Sequence, residues 1–515
     1  MAAQLGKRLP VPGRYVLTGL AIVIFLPVFV HLDGTLYTTT DEFYESGFRL
    51  SRLPLPLSVA ASGLGVLLLA LRRDWPRDLT FLALTAASII ATSLLFLEEL
   101  SRSKLLLCAQ FLLPMGGYLL GRLAFRQPGR ELQILSTAIL ITLTVVVPGQ
   151  LADTWLSGDS PILAPTFFGV GVYGHLQYVP TTFVALFLIG LGTTWSSPAA
   201  NTRHRRFIVV LAMLMGIYVA SSMSMLAVGG FAVCLLAYAV YDVAAHRRPA
   251  TALLSLAAVG IMILTLQTAI PISERFATKF ALGTPDVPTV RAAAAPLASP
   301  ATPAAAPAVR PGVAPAAGGS GMRPEADRSA GEQQLPVPAV DLSGLSEEAR
   351  LILDLWGEDA ARVAGLPPNI AIRLGYWKHY TAGLLSSPGH FLFGRPVPPD
   401  RNRFPSAHNY YLDLAYNFGA VTVVPIVVLI GITAAGVWRQ RHVVVQNAPL
   451  FSLALGVAFL LLLDNQTRVG MRQPYPGIVA FFLWGVLMNL VQGARGAEQS
   501  SVTAGAAHRP TELQP

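Results

Sequence analysis

Charge is scarce in this chain of 515 residues. Asp, Glu, Lys and Arg make up 13% of the chain and apolar residues 53%, whereas a water-soluble domain of average composition carries about 25% charge. This composition excludes an ordinary soluble enzyme. It also excludes a wholly disordered protein, because disordered chains are poor in apolar residues. The sequence therefore predicts a polytopic membrane protein.

Cysteine is almost missing as well. The two cysteines, Cys108 and Cys234, both lie inside apolar runs. Such positions favour small buried side chains over a disulfide or a metal site. We therefore predict no metal ion and no other cofactor from the cysteines.

Long apolar runs, by contrast, are abundant. A run of about 20 apolar residues is long enough to cross the hydrocarbon of a bilayer as a helix. The sequence predicts an all-α membrane protein with twelve transmembrane helices. The predicted spans are residues 15–32, 54–71, 79–98, 104–123, 132–150, 178–195, 207–223, 225–242, 250–270, 411–437, 448–464 and 475–492. No small-residue cleavage pattern follows the first run, so we expect it to be a retained helix and not a signal peptide.

The basic excess predicts the orientation of these spans. The net charge is +9, from 37 Lys and Arg against 28 Asp and Glu. With the N-terminus in the cytoplasm, the short inner segments hold 18 Lys and Arg and the short outer loops hold 6. The positive-inside rule then predicts that both termini are cytoplasmic. The charge is a topology signal, the expected partner is the lipid bilayer, and no nucleic-acid partner is expected.

The chain divides into four predicted parts. They are spans 1–9 in residues 1–270, a long outer loop in 271–410, spans 10–12 in 411–492 and a cytoplasmic tail in 493–515.

Within the long loop, 27 of the 40 residues from 292 to 331 are Ala, Pro or Gly. Such a stretch has little to bury, so we expect a disordered spacer over about 285–345. Short helices are predicted in 346–410, one beginning near Ser346 and one after Pro367.

The second of these helices carries a notable arginine. At 100° per residue, one face gathers apolar residues around Arg373. The members of this face are Ile370, Arg373, Leu374, Trp377, Thr381 and Leu384. Arg373 is either an interfacial arginine that reaches headgroups or a carboxylate, or an anion ligand aimed into a cavity.

A histidine stands at the mouth of span 10. His408 precedes Asn409 at a helix start, whereas His379 is predicted on the polar face of its short helix. Because imidazole titrates near neutral pH, His408 is a candidate general base. A structural, hydrogen-bonded histidine is the alternative.

Three motifs follow one another in this part of the chain. They are Arg373-x-x-x-Trp377, the turn from Ser387-Pro388 to Gly394, and His408-Asn409-x-Tyr411-Leu412 followed by Gly419. In these motifs the chain resembles the O-antigen ligase and O-antigen polymerase family of polytopic membrane glycosyltransferases. That family also has about a dozen spans, with its largest outer loop between the ninth and tenth.

The resemblance implies a reaction and a location. A glycan passes from an undecaprenyl-diphosphate-linked donor to an acceptor hydroxyl, at the periplasmic face of the bacterial inner membrane and without a metal ion. The absence of an Asp-x-Asp metal motif agrees with this expectation. The acceptor is the lipid A core in a ligase, another lipid-linked glycan in a polymerase, or a Ser or Thr in a protein O-oligosaccharyltransferase.

The resemblance also implies the site residues. His408 is expected to be the catalytic base. The expected substrate-binding residues are Arg275, Arg373, Arg468, Arg472, Asn409, Trp377 and Tyr411. Guanidinium groups suit a diphosphate because they are permanently charged and donate in pairs to phosphate oxygens.

Several of these assignments have alternatives. Arg275 is otherwise a headgroup anchor, and Arg468 and Arg472 otherwise mark a solvated turn. Glu98 and Glu99 form another candidate base, although we favour a carboxylate pair that meets Arg102 or Lys104.

The chain departs from the family at two places. Ser221-Ser222-Met223-Ser224-Met225 has no arginine where family members often have Ser-Arg, and Gly394-Arg395-Pro396 replaces a Gly-x-Gly.

A transporter or lipid-linked glycan flippase with twelve spans is the alternative from another class. The Pro114-Met115-Gly116-Gly117 and Gly229-Gly230 segments are predicted to interrupt helices. However, the two halves show no broken inverted repeat of the kind typical of transporters. The spans are nearly uncharged, and the polar chemistry collects at one face, which favours an interfacial enzyme.

Overall fold

In a computed structural model the chain is helical. The structure describes residues 55–71, 75–96, 102–124, 128–157, 166–167, 170–171, 178–195, 202–222, 224–268, 347–363, 365–399, 404 and 406–507. Within these ranges the one strand pairing is β1 (Thr166–Phe167) with β2 (Val170–Gly171), which is antiparallel.

Eight helices of the described residues precede the long loop. They are α1 (Leu55–Leu71), α2 (Arg77–Leu95), α3 (Arg102–Ala124), α4 (Pro128–Ser157), α5 (Tyr178–Trp195), α6 (Thr202–Ser221), α7 (Met225–His246) and α8 (Pro249–Thr268).

Ten helices lie in the described residues after it. They are α9 (Glu347–Trp356), α10 (Ala360–Val363), α11 (Pro368–Leu384), α12 (Pro388–Phe393), α13 (Tyr410–Phe418), α14 (Ala420–Arg439), α15 (Arg441–Gln446), α16 (Ala448–Ala458), α17 (Asn465–Thr467) and α18 (Pro474–Ala507). A π-helical turn, Phe459–Asp464, continues α16, and short 3₁₀ turns occupy Gly357–Asp359 and Gly470–Arg472.

The predicted membrane character is confirmed. Eight helices in the described residues are long and apolar enough to cross a membrane, and Ser62–Leu71 and Val179–Trp195 are shorter apolar helices. Helices lie in every predicted span from 54–71 onward. The predicted span 411–437 is not one helix, because Gly419, with a φ of 81°, divides it into α13 and α14. The first predicted span, 15–32, and the spacer at 285–345 lie outside the described residues, so the count of twelve stays a prediction.

The chain forms two compact units. The larger contains Met1–Thr278 and Tyr376–Pro515, and the smaller is Lys279–Gly375. In the smaller unit, α9, α10 and the start of α11 enclose a small apolar core around Ile352 and Ala371. The Trp356 indole donates to the Ala371 carbonyl at 2.9 Å. The two helix starts predicted near Ser346 and after Pro367 are therefore confirmed.

The larger unit is a helix bundle with α18 at its centre. In the segment Pro476–Gly493, 83% of the residues are buried, against 22% in Ala420–Arg439. Helix α3 packs tightly against both α18 and α1. The α3 glycines make this approach: a Cβ at Gly116 would collide with Ser62 of α1, and one at Gly117 with the Ile478 carbonyl of α18.

The prediction that two glycine segments interrupt helices is therefore wrong. Helix α3 runs unbroken through Pro114 and Gly117, and α7 runs unbroken through Gly230. Missing side chains let neighbouring groups approach, since a Cβ at Gly230 would collide with the Phe459 ring. These glycines serve packing between helices.

A buried ion pair stabilises one end of the bundle. Asp78 lies in the first turn of α2, and Arg122 near the end of α3 donates its Nε to the Asp78 carboxylate at 2.9 Å. The Tyr118 hydroxyl donates to Asp78 at 2.8 Å, and Arg122 also donates to Asn489 of α18 at 2.9 Å. A buried pair is stable only when such further bonds satisfy it. The candidate site lies at the opposite end of α3.

Candidate functional site

The candidate base lies at the start of α13. The Asn409 side-chain oxygen accepts the backbone N–H groups of Tyr411 and Leu412, each at 3.0 Å, and so caps the helix. His408, half-buried just before the cap, has a φ of 47°, and its N–H donates to the Ser406 hydroxyl at 3.3 Å. A residue other than glycine rarely adopts a left-handed backbone, because this conformation costs free energy. Such strained residues cluster at functional sites.

Aromatic side chains fix the orientation of His408. Its ring stacks on Tyr376 of α11, with 5.4 Å between centroids and 13° between planes. Phe404 stacks on His379 at 3.7 Å, and its carbonyl accepts the Tyr380 hydroxyl at 3.0 Å. The expectation that His379 lies on a polar face is therefore wrong, because its ring is packed against Phe404.

Helix α13 is tied to the turn between α16 and α18, residues 465–472. The predicted topology places this turn on the outer side of the membrane, and we call it the outer turn. The Asn409 amide donates to Gln466 at 3.0 Å, and the Tyr411 hydroxyl donates to the Leu461 carbonyl at 2.8 Å. That carbonyl belongs to the π-helical turn, a feature that often occurs at functional sites. The chain segments carrying His408, Asn409 and Tyr411 and those carrying Arg468 and Arg472 thus lie at one end of the bundle.

Arg472 is buried against a carboxylate. Its side chain forms an ion pair with Asp413 of α13, and the two residues are 5% and 0% exposed. Asn465 shapes this turn: its amide donates to the Leu460 carbonyl at 2.6 Å and its oxygen accepts the Met471 N–H at 2.9 Å.

Arg468 is buried as well, with 3% exposure. Its guanidinium donates to the Ser224 hydroxyl at 2.6 Å, across 244 positions of sequence. Ser224 caps α7, in the Ser221–Met225 turn that lacks an arginine of its own. A distant arginine therefore lies at that turn. Burial of Arg468 and Arg472 excludes the alternative that they mark a solvated turn.

Lys104 is a site component that the sequence argument missed. It is 1% exposed, and its ammonium donates to the carbonyls of Arg395, at 2.9 Å, and Asn417. It also lies 4.7 Å from the centre of the Phe418 ring. Glu98 and Glu99 lie outside the described residues, so the predicted contact of this carboxylate pair with Arg102 or Lys104 stays a prediction. A lysine on the predicted outer side, where few are expected, was the available signal.

Two glycines join the turn motif to the end of α13. Gly394 and Gly419 have φ values of 79° and 81°, which glycine adopts at no steric cost. A Cβ at Gly394 would lie 2.5 Å from the Phe418 nitrogen, and one at Gly419 would collide with the Leu392 carbonyl. The Arg395 N–H donates to the Tyr416 carbonyl at 2.7 Å. The backbones of the second and third motifs are therefore in direct contact.

Arg373 and Trp377 lie one turn apart on α11. The buried positions of this helix include Ala371, Tyr376 and Tyr380, while Ile370 is 48% exposed. Of the predicted stripe around Arg373, Leu384 is buried as well, so the packed face of α11 combines Tyr376 and Tyr380 with part of that stripe. Arg373, half-buried, belongs to the smaller unit. The buried Trp377 indole N–H has no hydrogen-bond acceptor among the described residues.

Two further predictions concern metal and Arg275. The described residues contain no group of three or more His, Cys, Asp or Glu side chains arranged to hold a metal ion. Arg275 lies outside the described residues. The described cysteines are free thiols: Cys234 is buried, and Cys108 contacts the Ser93 hydroxyl at 3.0 Å.

Comparison of the chain with known protein families, with curated proteins and with solved structures finds no match. The assignment of a function therefore depends on the residues at this end of the bundle.

Proposed function

We propose that this protein transfers a glycan from an undecaprenyl-diphosphate-linked donor to a hydroxyl of an acceptor glycan at the outer face of a membrane. The observation that carries the proposal is the contact between α13 and the outer turn, through Asn409 and Gln466 and through Asp413 and Arg472. This contact supports our assignment of the candidate base and the buried cations to one site, as the reaction requires.

The reaction needs a base and a stabiliser of negative charge. The acceptor oxygen bonds to the anomeric carbon of the donor while the bond from that carbon to the diphosphate oxygen breaks. The acceptor proton passes to His408, and the diphosphate leaves with the electron pair. Fixed cations that meet this developing charge lower the barrier. We assign this role to Arg468 and Arg472, with Arg373 and Arg275 as further ligands of the donor.

The buried carboxylates have a supporting role in this proposal. Asp413 orients Arg472, and Asp464 lies beside Arg468 and the Thr181 hydroxyl. Held guanidinium groups need no reorganisation when charge develops, which is the advantage of a preorganised site. Asn409 keeps α13 in place, and the Trp377 indole offers a donor for a sugar oxygen.

The proposal includes the twelve-span topology with both termini in the cytoplasm of a bacterial inner membrane. It favours an enzyme over a transporter because buried charges lie near helix ends. Asp78, Arg122 and Asp242 lie at one end of the bundle, and Lys104 and Asp464 at the other. Transporter sites typically lie near the middle of the bilayer.

The experiment that tests the proposal compares histidine variants in lipid nanodiscs. With undecaprenyl-diphosphate-linked glycan as donor, we expect His408→Ala and His408→Gln to lose transfer by about 10²–10⁴-fold, the range typical of a general base. His442→Gln, an exposed change in α15, is the matched control. Unchanged transfer in both His408 variants would refute the role of this histidine.

A further inference from the structure

The short helix α12 and the residues beside it expose a group of large apolar side chains. We call this group the apolar tip. Its members, with their exposed fractions, are Leu385 (62%), Phe391 (43%), Leu392 (42%), Phe393 (38%) and Val397 (55%). Three of them are consecutive, and α12 has no buried residue. Soluble surfaces rarely gather so many exposed large apolar side chains in such a short stretch.

The backbone contacts of α12 fix its height relative to the membrane helices. Gly419, which directly precedes the apolar span α14, meets the Leu392 carbonyl so closely that a Cβ would collide with it. Lys104 near the start of α3 donates to the Arg395 carbonyl at 2.9 Å. The apolar tip therefore lies at the level of the first residues of α14 and of α3.

The apolar tip is also continuous with an apolar surface. Helix α12 packs on the first turns of α14, where Val424 and Val427 are 57% and 51% exposed. On a helix that crosses a bilayer, such residues face lipid. An adjoining apolar surface at the helix end reaches the boundary between headgroups and acyl chains.

Polar groups border the apolar tip as a lipid interface requires. The Arg395 guanidinium donates to the Ser386 hydroxyl at 3.3 Å, and the His390 imidazole lies 2.7 Å from the same hydroxyl. A cation and neutral donors beside exposed apolar side chains match the phosphates and acyl chains of a leaflet. Water would match only the polar groups.

We propose that the apolar tip inserts into the outer leaflet of the bilayer and that Arg395 contacts lipid phosphates there. The leaflet then supports the Gly394–Gly419 contact from outside, so the membrane itself helps to fix the end of α13. This inference does not depend on glycan transfer.

Spin labelling in nanodiscs of phosphatidylethanolamine and phosphatidylglycerol tests the insertion. After replacement of Cys108 and Cys234, single labels are placed at Leu392→Cys, at Val424→Cys as the lipid reference and at Lys378→Cys as the water reference. We expect the label at position 392 to be relaxed mainly by oxygen, as at position 424, and little by a water-soluble nickel complex. Relaxation mainly by nickel, or by neither reagent, would overturn the proposal.

A second measurement keeps both cysteines. A photoreactive phenylalanine analogue in place of Phe391 leaves the fold undisturbed, because that ring is already exposed. Irradiation in the same nanodiscs should give lipid adducts detectable by mass spectrometry, and the analogue in place of Lys378 should give few. Crosslinks to a second copy of the chain without lipid adducts would contradict insertion.

Discussion

The buried ion pair of Arg472 and Asp413 is the central feature of the proposed site. Arg472 and Asp413 neutralise each other inside the bundle, at 5% and 0% exposure. Removing one partner of a buried pair leaves an uncompensated charge and costs about 3–5 kcal/mol, whereas removing both is often nearly neutral. Stability and catalysis can therefore be separated at this pair.

We expect Arg472→Gln to lower the Tm clearly in detergent. When Asp413→Asn is combined with Arg472→Gln, we expect the Tm to return most of the way to the wild-type value. Transfer should remain about 10²–10³-fold low in the double variant, because a ligand of the developing charge is still missing. A double variant that transfers at the wild-type rate would reduce Arg472 to a structural residue.

The buried Lys104 leads to a second prediction, which concerns the stability of the protein. Its ammonium satisfies two buried carbonyls, and an unsatisfied buried polar group costs about 1–3 kcal/mol. We therefore expect Lys104→Met to lower the stability of the folded protein by a few kcal/mol in denaturant unfolding. The exposed change Lys378→Met should shift it by less than about 0.5 kcal/mol. Equal stability of the two variants would show that the Lys104 contacts contribute nothing.

Sequence reasoning identified the elements and missed how they join. Apolar runs predicted the spans, and a Ser-Glu-Glu start predicted α9, because these signals are local. The contact of Arg468 with Ser224 spans 244 positions and that of Lys104 with Arg395 spans 291. No periodicity encodes such pairings, so the burial of Arg468 and Arg472 and the carbonyl contacts of Lys104 were not predictable. Only the position of Lys104 on the predicted outer side marked it as unusual. The left-handed His408 also depends on packing around it.

The close contact between α12 and the end of α13 leads to a prediction about its two glycines. A Cβ at Gly394 or Gly419 would collide with the backbone of the neighbouring segment. Both positions also have a positive φ, which strains any residue other than glycine. We expect Gly394→Ala and Gly419→Ala each to destabilise the protein by about 1–2 kcal/mol or more. Gly431→Ala in α14, where nothing lies within 4 Å, is the control and should be neutral or stabilising. A similar Tm for all three variants would argue against a tight contact.

Across the helix bundle, the residues that we assign to the proposed site lie at one end. The central helix α18 and its neighbour α3 form a packed core, and the Asp78–Arg122 pair stabilises the end away from the site. The spacer at 285–345 is expected to be dispensable, because its composition offers no core. Deletion of residues 292–331 should change transfer by less than a few fold, and its complete loss would reveal a docking element.

The most direct test of the central claim is a transfer reaction with the purified wild-type chain in EDTA. The donor is an undecaprenyl-diphosphate-linked glycan in vesicles, with an acceptor glycan added on the outer side. We expect the glycan on the acceptor and free undecaprenyl diphosphate in equal amounts. Movement of intact donor across the membrane without bond cleavage would contradict it, as would transfer that appears only after Mg²⁺ or Mn²⁺ is restored.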